Sequence, residues 1–127
     1  MFGLSPYSSP EMVRKAKNVD GRTDVWSLGA ILYHLLTGQA PFQGDIATLM
    51  LAITRDDPTP PSMLRRGLPQ ELDQIVAWAL AKDVDRRFRD VNAHAHALVP
   101  YGNAEAQVLA ERITALHAAA RGQKDGP

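Results

Sequence analysis

The segment Asp24-Val25-Trp26-Ser27-Leu28-Gly29 runs without a breaker through Ala30 to Leu36 and stops at Thr37-Gly38. Val25, Leu28, Ile31, Leu32, Leu35 and Leu36 recur at intervals of three and four, the spacing of a helix with a broad apolar face. Gly29 and Ala30 keep another face flat enough for close approach, and Trp26 and Tyr33 add hydrophobic surface. A helix this apolar has to be wrapped by other elements, so it is expected to be the core of the domain. Thr23 or Asp24 is the expected cap, since a short oxygen-bearing side chain satisfies free N–H groups at a helix start. Gly38 is the expected stop.

The rest of the chain supplies the wrapping. Met1 to Arg22 reads as irregular, with one short helical turn among its prolines and serines. After the turn Pro41-Phe42-Gln43-Gly44, Asp45 is placed to cap a second helix with Ile46, Leu49, Met50 and Ile53 inward. Asp57 to Leu68 holds Pro58, Pro60, Pro61 and Gly67 and is expected to be a loop. Pro69 pre-sets a third helix with Leu72, Ile75, Val76, Ala79 and Leu80 as its buried stripe. Lys82 to Arg89 reads as a charged loop, and Asn92 as the cap of a short helix through Leu98, ended by Pro100 and Gly102. A last amphipathic helix is expected over about Ala104 to Ala120, with Val108, Ile113 and Leu116 inward, followed by a disordered tail over 122–127. No β-alternation of useful length and no internal repeat is present, so the expected fold is all-α, with about five helices around one central helix.

A chain of 127 residues suits one domain with a modest core. Its 14 basic side chains balance its 14 acidic ones, which removes any global attraction to nucleic acid or to an anionic membrane. With no cysteine there is no disulfide, thiolate metal site or cysteine nucleophile. No apolar run approaches the roughly 20 residues of a membrane span, and no secretory signal opens the chain. A cytoplasmic protein is the expectation.

Several blocks, in order, resemble the C-terminal lobe of bacterial, eukaryotic-like serine/threonine protein kinases. Gly3-Leu4-Ser5-Pro6-Tyr7-Ser8-Ser9-Pro10-Glu11 resembles the segment that closes the activation segment in A-P-E. Asp24 to Gly29 and the helix after it resemble the central helix of that lobe. Leu68 to Asp73, Ala79 to Asp83 and Arg87-Phe88 resemble its closing helices. The match covers about residues 2–99, so the expected organisation is a lobe over 1–99, an additional helix over 100–121 and the tail.

The resemblance implies structural roles. Glu11 stands for the glutamate that pairs with a buried arginine, and Arg87 for that arginine. Asp24 stands for the aspartate that braces the catalytic loop; a plain helix cap is its bland reading. Ile31 and Leu35 fall where the hydrophobic spines rest on the central helix. Leu4, Ser5, Tyr7 and Pro10 belong to a P+1-like loop, with Leu4 where the family usually carries a threonine that contacts the catalytic base.

No G-x-G-x-x-G, V-A-I-K, H-R-D-x-x-x-x-N or D-F-G occurs. Those parts hold ATP, magnesium and the attacking hydroxyl. The resemblance therefore implies ATP and magnesium only for a full-length kinase, and neither a catalytic nor a cofactor-binding residue in these 127. Two function classes follow: a non-catalytic interaction module docking through Asp45 to Leu68, or the C-terminal part of an active kinase. If Met1 is the true start, the face with Trp26, Ile31, Tyr33 and Leu35 loses cover, so a protein partner or self-association is expected. A third reading is an unrelated helical adaptor.

The remaining candidates are weak. His94 and His96 are two apart, which points them to different sides of a helix, and His34 and His117 lie elsewhere, so no metal site is expected. Ser5, Ser8 and Ser9 could accept phosphate but are ordinary turn formers. The basic residues Lys82, Arg86, Arg87 and Arg89 are interleaved with Asp83, Asp85 and Asp90, which argues against nucleic acid.

Overall fold

The computed structural model describes residues 4–102 and Ala115, Leu116, Ala118 and Ala119. Among these residues the fold is helical throughout, without a strand. The elements are α1 (Pro10–Val13), α2 (Arg22–Thr37), α3 (Ile46–Arg55), α4 (Pro61–Leu64), α5 (Glu71–Ala79) and α6 (Val91–Leu98), with 3-10 turns at Val84–Arg86 and Val99–Tyr101.

The central helix α2 is capped two residues before the first expected cap. Gly21 occupies its N-cap, and Asp20 Oδ1 accepts from Arg22 N at 2.9 Å. The Thr23 hydroxyl is used elsewhere, as described below. Gly38 does end the helix, at φ 82, in the left-handed conformation that a side chain would resist.

The buried face of α2 is rotated from the expected one. Val25, Trp26, Gly29, Ala30 and Tyr33 are inside, whereas Leu28, Ile31 and Leu35 are 45%, 43% and 74% exposed. The reason is backbone approach. Helix α5 crosses α2 so closely that a Cβ on Gly29 would lie 2.6 Å from the Ala79 Cβ. The flat Gly29/Ala30 face therefore meets α5, and Leu28, Ile31 and Leu35 turn outward while Leu32 and Leu36 pack against the core.

Trp26 stacks on Phe42 with ring centroids 5.7 Å apart, and Tyr33, Leu49, Ile53, Val76 and Leu80 complete the core cluster. Asp45 caps α3 as expected, accepting from Thr48 N at 2.8 Å. Only the i, i+4 pair Leu49 and Ile53 is buried from that helix; Ile46 and Met50 face solvent. The helix lies on the core by one narrow stripe.

The proline-rich stretch is broken by a single helical turn, α4, because Pro61 sits at its first position, where a missing N–H costs nothing. Asp73 fixes that turn by accepting from the Ser62 N–H and hydroxyl. The α5 stripe is buried as its spacing predicts. Asp90, not Asn92, caps α6, accepting from Ala93 N at 2.8 Å. Pro100 sits inside the following 3-10 turn rather than ending the helix. The last expected helix falls mostly outside the described residues, as do Val108, Ile113 and the tail; Leu116, expected to face inward, is exposed.

Candidate functional site

The best-built polar arrangement joins α1 to the segment just after the Val84–Arg86 turn. Ser9 caps α1 through Met12 N at 3.3 Å, and Pro10 opens the turn, which places Glu11 toward α2. Arg87 leaves the Val84–Arg86 turn and reaches the same point. Its Nη1 donates to Glu11 Oε2 at 2.6 Å and its Nη2 to Oε1 at 3.1 Å, a two-pronged pair. The Arg87 side chain is 0% exposed and that of Glu11 12%.

Its other donors are also used. Nη1 donates to Arg22 O at 2.8 Å and Nε to Ala81 O at 3.0 Å, while the guanidinium lies 5.2 Å from the Trp26 ring centroid. The Thr23 hydroxyl donates to Glu11 Oε2 at 2.8 Å and lies 3.2 Å from the Ser9 Oγ. Burial raises the Glu11 pKa, but the hydrogen bonds from Arg87 and Thr23 outweigh it and hold the carboxyl below its ordinary value.

The P+1-like loop is fastened to α2 by the bonds of this pair to Thr23 and to the Arg22 carbonyl, and by two further bonds. Tyr7 OH lies 2.8 Å from His34 Nδ1, and Tyr7 O accepts from the Ser27 hydroxyl at 2.9 Å. Leu4 packs against the core cluster. Ser5 Oγ accepts from Tyr7 N at 3.2 Å, and Ser8 Oγ accepts from Ser5 N at 3.0 Å. With Ser8 and Ser9 buried, these serines act as turn formers, and Pro10 is buried beside them.

Other expected residues are not brought together. Asp24 is exposed, and no side chain among the described residues bonds to it. Ile31 and Leu35 face solvent. His34 is occupied by Tyr7, and His94 is buried and stacked on Phe88 at 5.1 Å. Among the described residues no three His, Asp or Glu side chains gather as a metal site.

Sequence reasoning missed Thr23, Ser27 and Lys82. Thr23 was noticed only as a cap; its 12-residue separation from Glu11 gives no local signal. Lys82 Nζ donates to Ile53 O at 2.8 Å, at the end of α3, and sits 4.8 Å above the Phe42 ring. Burial pushes its pKa down, Asp57 and Asp56 push it up, and Arg14 adds a smaller push down. Lys82 also lines a cleft of about 580 Å³ with Asp57, Pro60, Asp73, Asp83 and Arg86.

The protein kinase domain profile matches residues 1–99. This chain belongs to the protein kinase family. It is 40% identical over 134 residues to the serine/threonine-protein kinase PknB of Mycobacterium tuberculosis, covering 100% of this chain and 21% of that kinase. It is 42% identical over 95 residues to PknL of the same species, 73% of this chain and 23% of that one. The chain thus spans about a fifth of the length of these relatives. The twitchin kinase region from C. elegans superposes with a TM-score of 0.63 at 23% identity, over 94% of this chain and 22% of that one, which is a likeness of fold. The Glu11–Arg87 pair therefore sits within a kinase C-lobe-like fold.

Magnesium and ATP are implied by the family, and the described residues do not fit them. No carboxylate set gathers for a cation. The left-handed glycines Gly38, Gly44 and Gly67 lie in separate turns and form no phosphate cradle.

Proposed function

We propose that this chain is the loop-presenting helical part of a kinase C-lobe, non-catalytic by itself, and acts as a protein-interaction or regulatory module. The observation that carries this reading is the Glu11–Arg87 pair, which fixes the P+1-like loop on α2 with both partners withdrawn from water. A loop held this firmly is pre-organised to meet a partner. The docking surface is the region from Asp45 to Leu68, whose Ile46, Met50, Leu51, Met63 and Leu64 are exposed apolar side chains. No step of phosphoryl transfer is assigned to these residues, and the working compartment is the cytoplasm. A thermal-shift titration with magnesium and ATP tests this: a ligand of the folded state stabilises it by RT ln(1 + [L]/Kd) and so raises Tm. An unchanged Tm is expected; a saturable rise overturns the reading.

A second reading has its own observation. Leu28, Ile31 and Leu35 form one exposed stripe at i, i+3 and i+7 on α2. That is the face an additional kinase segment would cover if the chain works as the C-terminal part of an active enzyme. The intact mass of the protein in its own cells separates the two readings.

A further inference from the structure

Helix α1 ends in a backbone motif that normally demands glycine. Ala16 N donates to Glu11 O at 2.9 Å and Lys15 N to Met12 O at 3.1 Å, the paired bonds of a Schellman closure. Its left-handed position is held by Lys15, at φ 53, the one non-glycine residue with positive φ among the described residues. A long charged side chain is thus kept where a glycine would be easier. Arg14 and Lys17 flank it, and all three are exposed and without an acidic partner among the described residues. The nearest carboxylates in sequence are spoken for: Glu11 by Arg87 and Asp20 by Arg22.

The geometry points to this turn, Arg14-Lys15-Ala16-Lys17, as a docking site for an acidic peptide segment of a partner protein. Three unpaired cations on one reversal of the chain present a compact positive field on a molecule of zero net charge. Exposed Met12 and Val19 stand at its two ends and suit a peptide with apolar residues beside its carboxylates. A nucleic acid fits less well. Its backbone needs an extended basic track, whereas this run of cations is confined to four residues and Asp20 follows within three more.

The test is fluorescence anisotropy of a labelled oligoglutamate peptide titrated with the 127-residue chain at low and high salt. Binding is expected at low salt and should weaken as salt rises. The variant Arg14→Gln/Lys17→Gln should bind roughly three- to tenfold more weakly, with its Tm unchanged. Lys15→Gly should weaken binding about twofold while Tm stays level or rises, because the strained position is relieved. That opposite movement separates a binding role from a structural one. Absence of peptide binding at low salt overturns the proposal, as does undiminished affinity in the double variant. Tighter binding of a single-stranded oligonucleotide or of phosphatidylserine vesicles, lost in the same variant, overturns it in favour of those ligands.

Discussion

Arg87 has no water to fall back on. Replacing it with Gln leaves Glu11 nearly buried, with its charge only partly met by Thr23, and should cost roughly 3–5 kcal/mol in urea unfolding. Replacing both partners, as Glu11→Gln/Arg87→Met, should recover part of that loss, because no uncompensated charge remains. His94 makes a second prediction at this scale. Burial pushes its pKa down to about 4, and its Nε2 has no partner among the described residues. Between roughly pH 6.5 and 4 the unfolded chain binds a proton that the folded chain does not. Stability is therefore full above about pH 6.5 and declines as pH falls, by an amount on the order of 2–3 kcal/mol by pH 4. In His94→Phe that part of the decline should vanish from a pH series of unfolding curves, while the Glu11 contribution, lost only at lower pH, should persist.

At the scale of elements, the closest approach is α2 against α5. Gly29→Ala puts a methyl group into the Ala79 side chain, which no rotamer can relieve, and should cost about 1–3 kcal/mol. The double variant Gly29→Ala/Ala79→Gly should regain much of it in denaturant titrations; a loss equal to that of the single variant would mean the contact is not the cause. The same crossing explains what was legible beforehand. The existence of α2, α3 and α5 follows from apolar spacing and that of α6 from cap and stop residues, and the α5 stripe is buried residue by residue. The facing of α2 was not. With apolar side chains on several sides, its spacing does not say which side the backbone of α5 will approach, and the small pair Gly29/Ala30 decided it. The caps of α2 and α6 differ similarly from expectation: each start offers several oxygen-bearing residues, the Thr23 hydroxyl at α2 being taken by Glu11 and the local cap of α6 falling to Asp90. The Glu11–Arg87 pair was readable only through the order of the kinase-like motifs, since 76 residues separate its members. The Tyr7–His34 bond had no such guide.

At the scale of the whole molecule, the outward stripe of α2 is expected to govern behaviour in solution. Leu28, Ile31 and Leu35 are separated by one and two turns on the surface of the helix at the centre of the fold. The 127-residue chain is expected to bind a hydrophobic dye and to associate as concentration rises. Leu28→Gln/Ile31→Gln/Leu35→Gln should reduce both, with a modest fall in Tm, because Leu28 and Ile31 are more than half buried and Leu35 is largely exposed. Sedimentation velocity reads the association directly. A monomeric parent chain that ignores the dye would remove the need for any cover on this face.

The span of the Glu11–Arg87 pair also sets an order of events in time. Bringing together two members 76 residues apart carries the entropy of closing a long segment, which disfavours the contact early in folding. The pair is therefore expected on the native side of the folding barrier. Breaking it should leave the refolding rate almost untouched and make the chain come apart faster, so that the arginine acts as a lock on the finished molecule rather than a guide to its assembly.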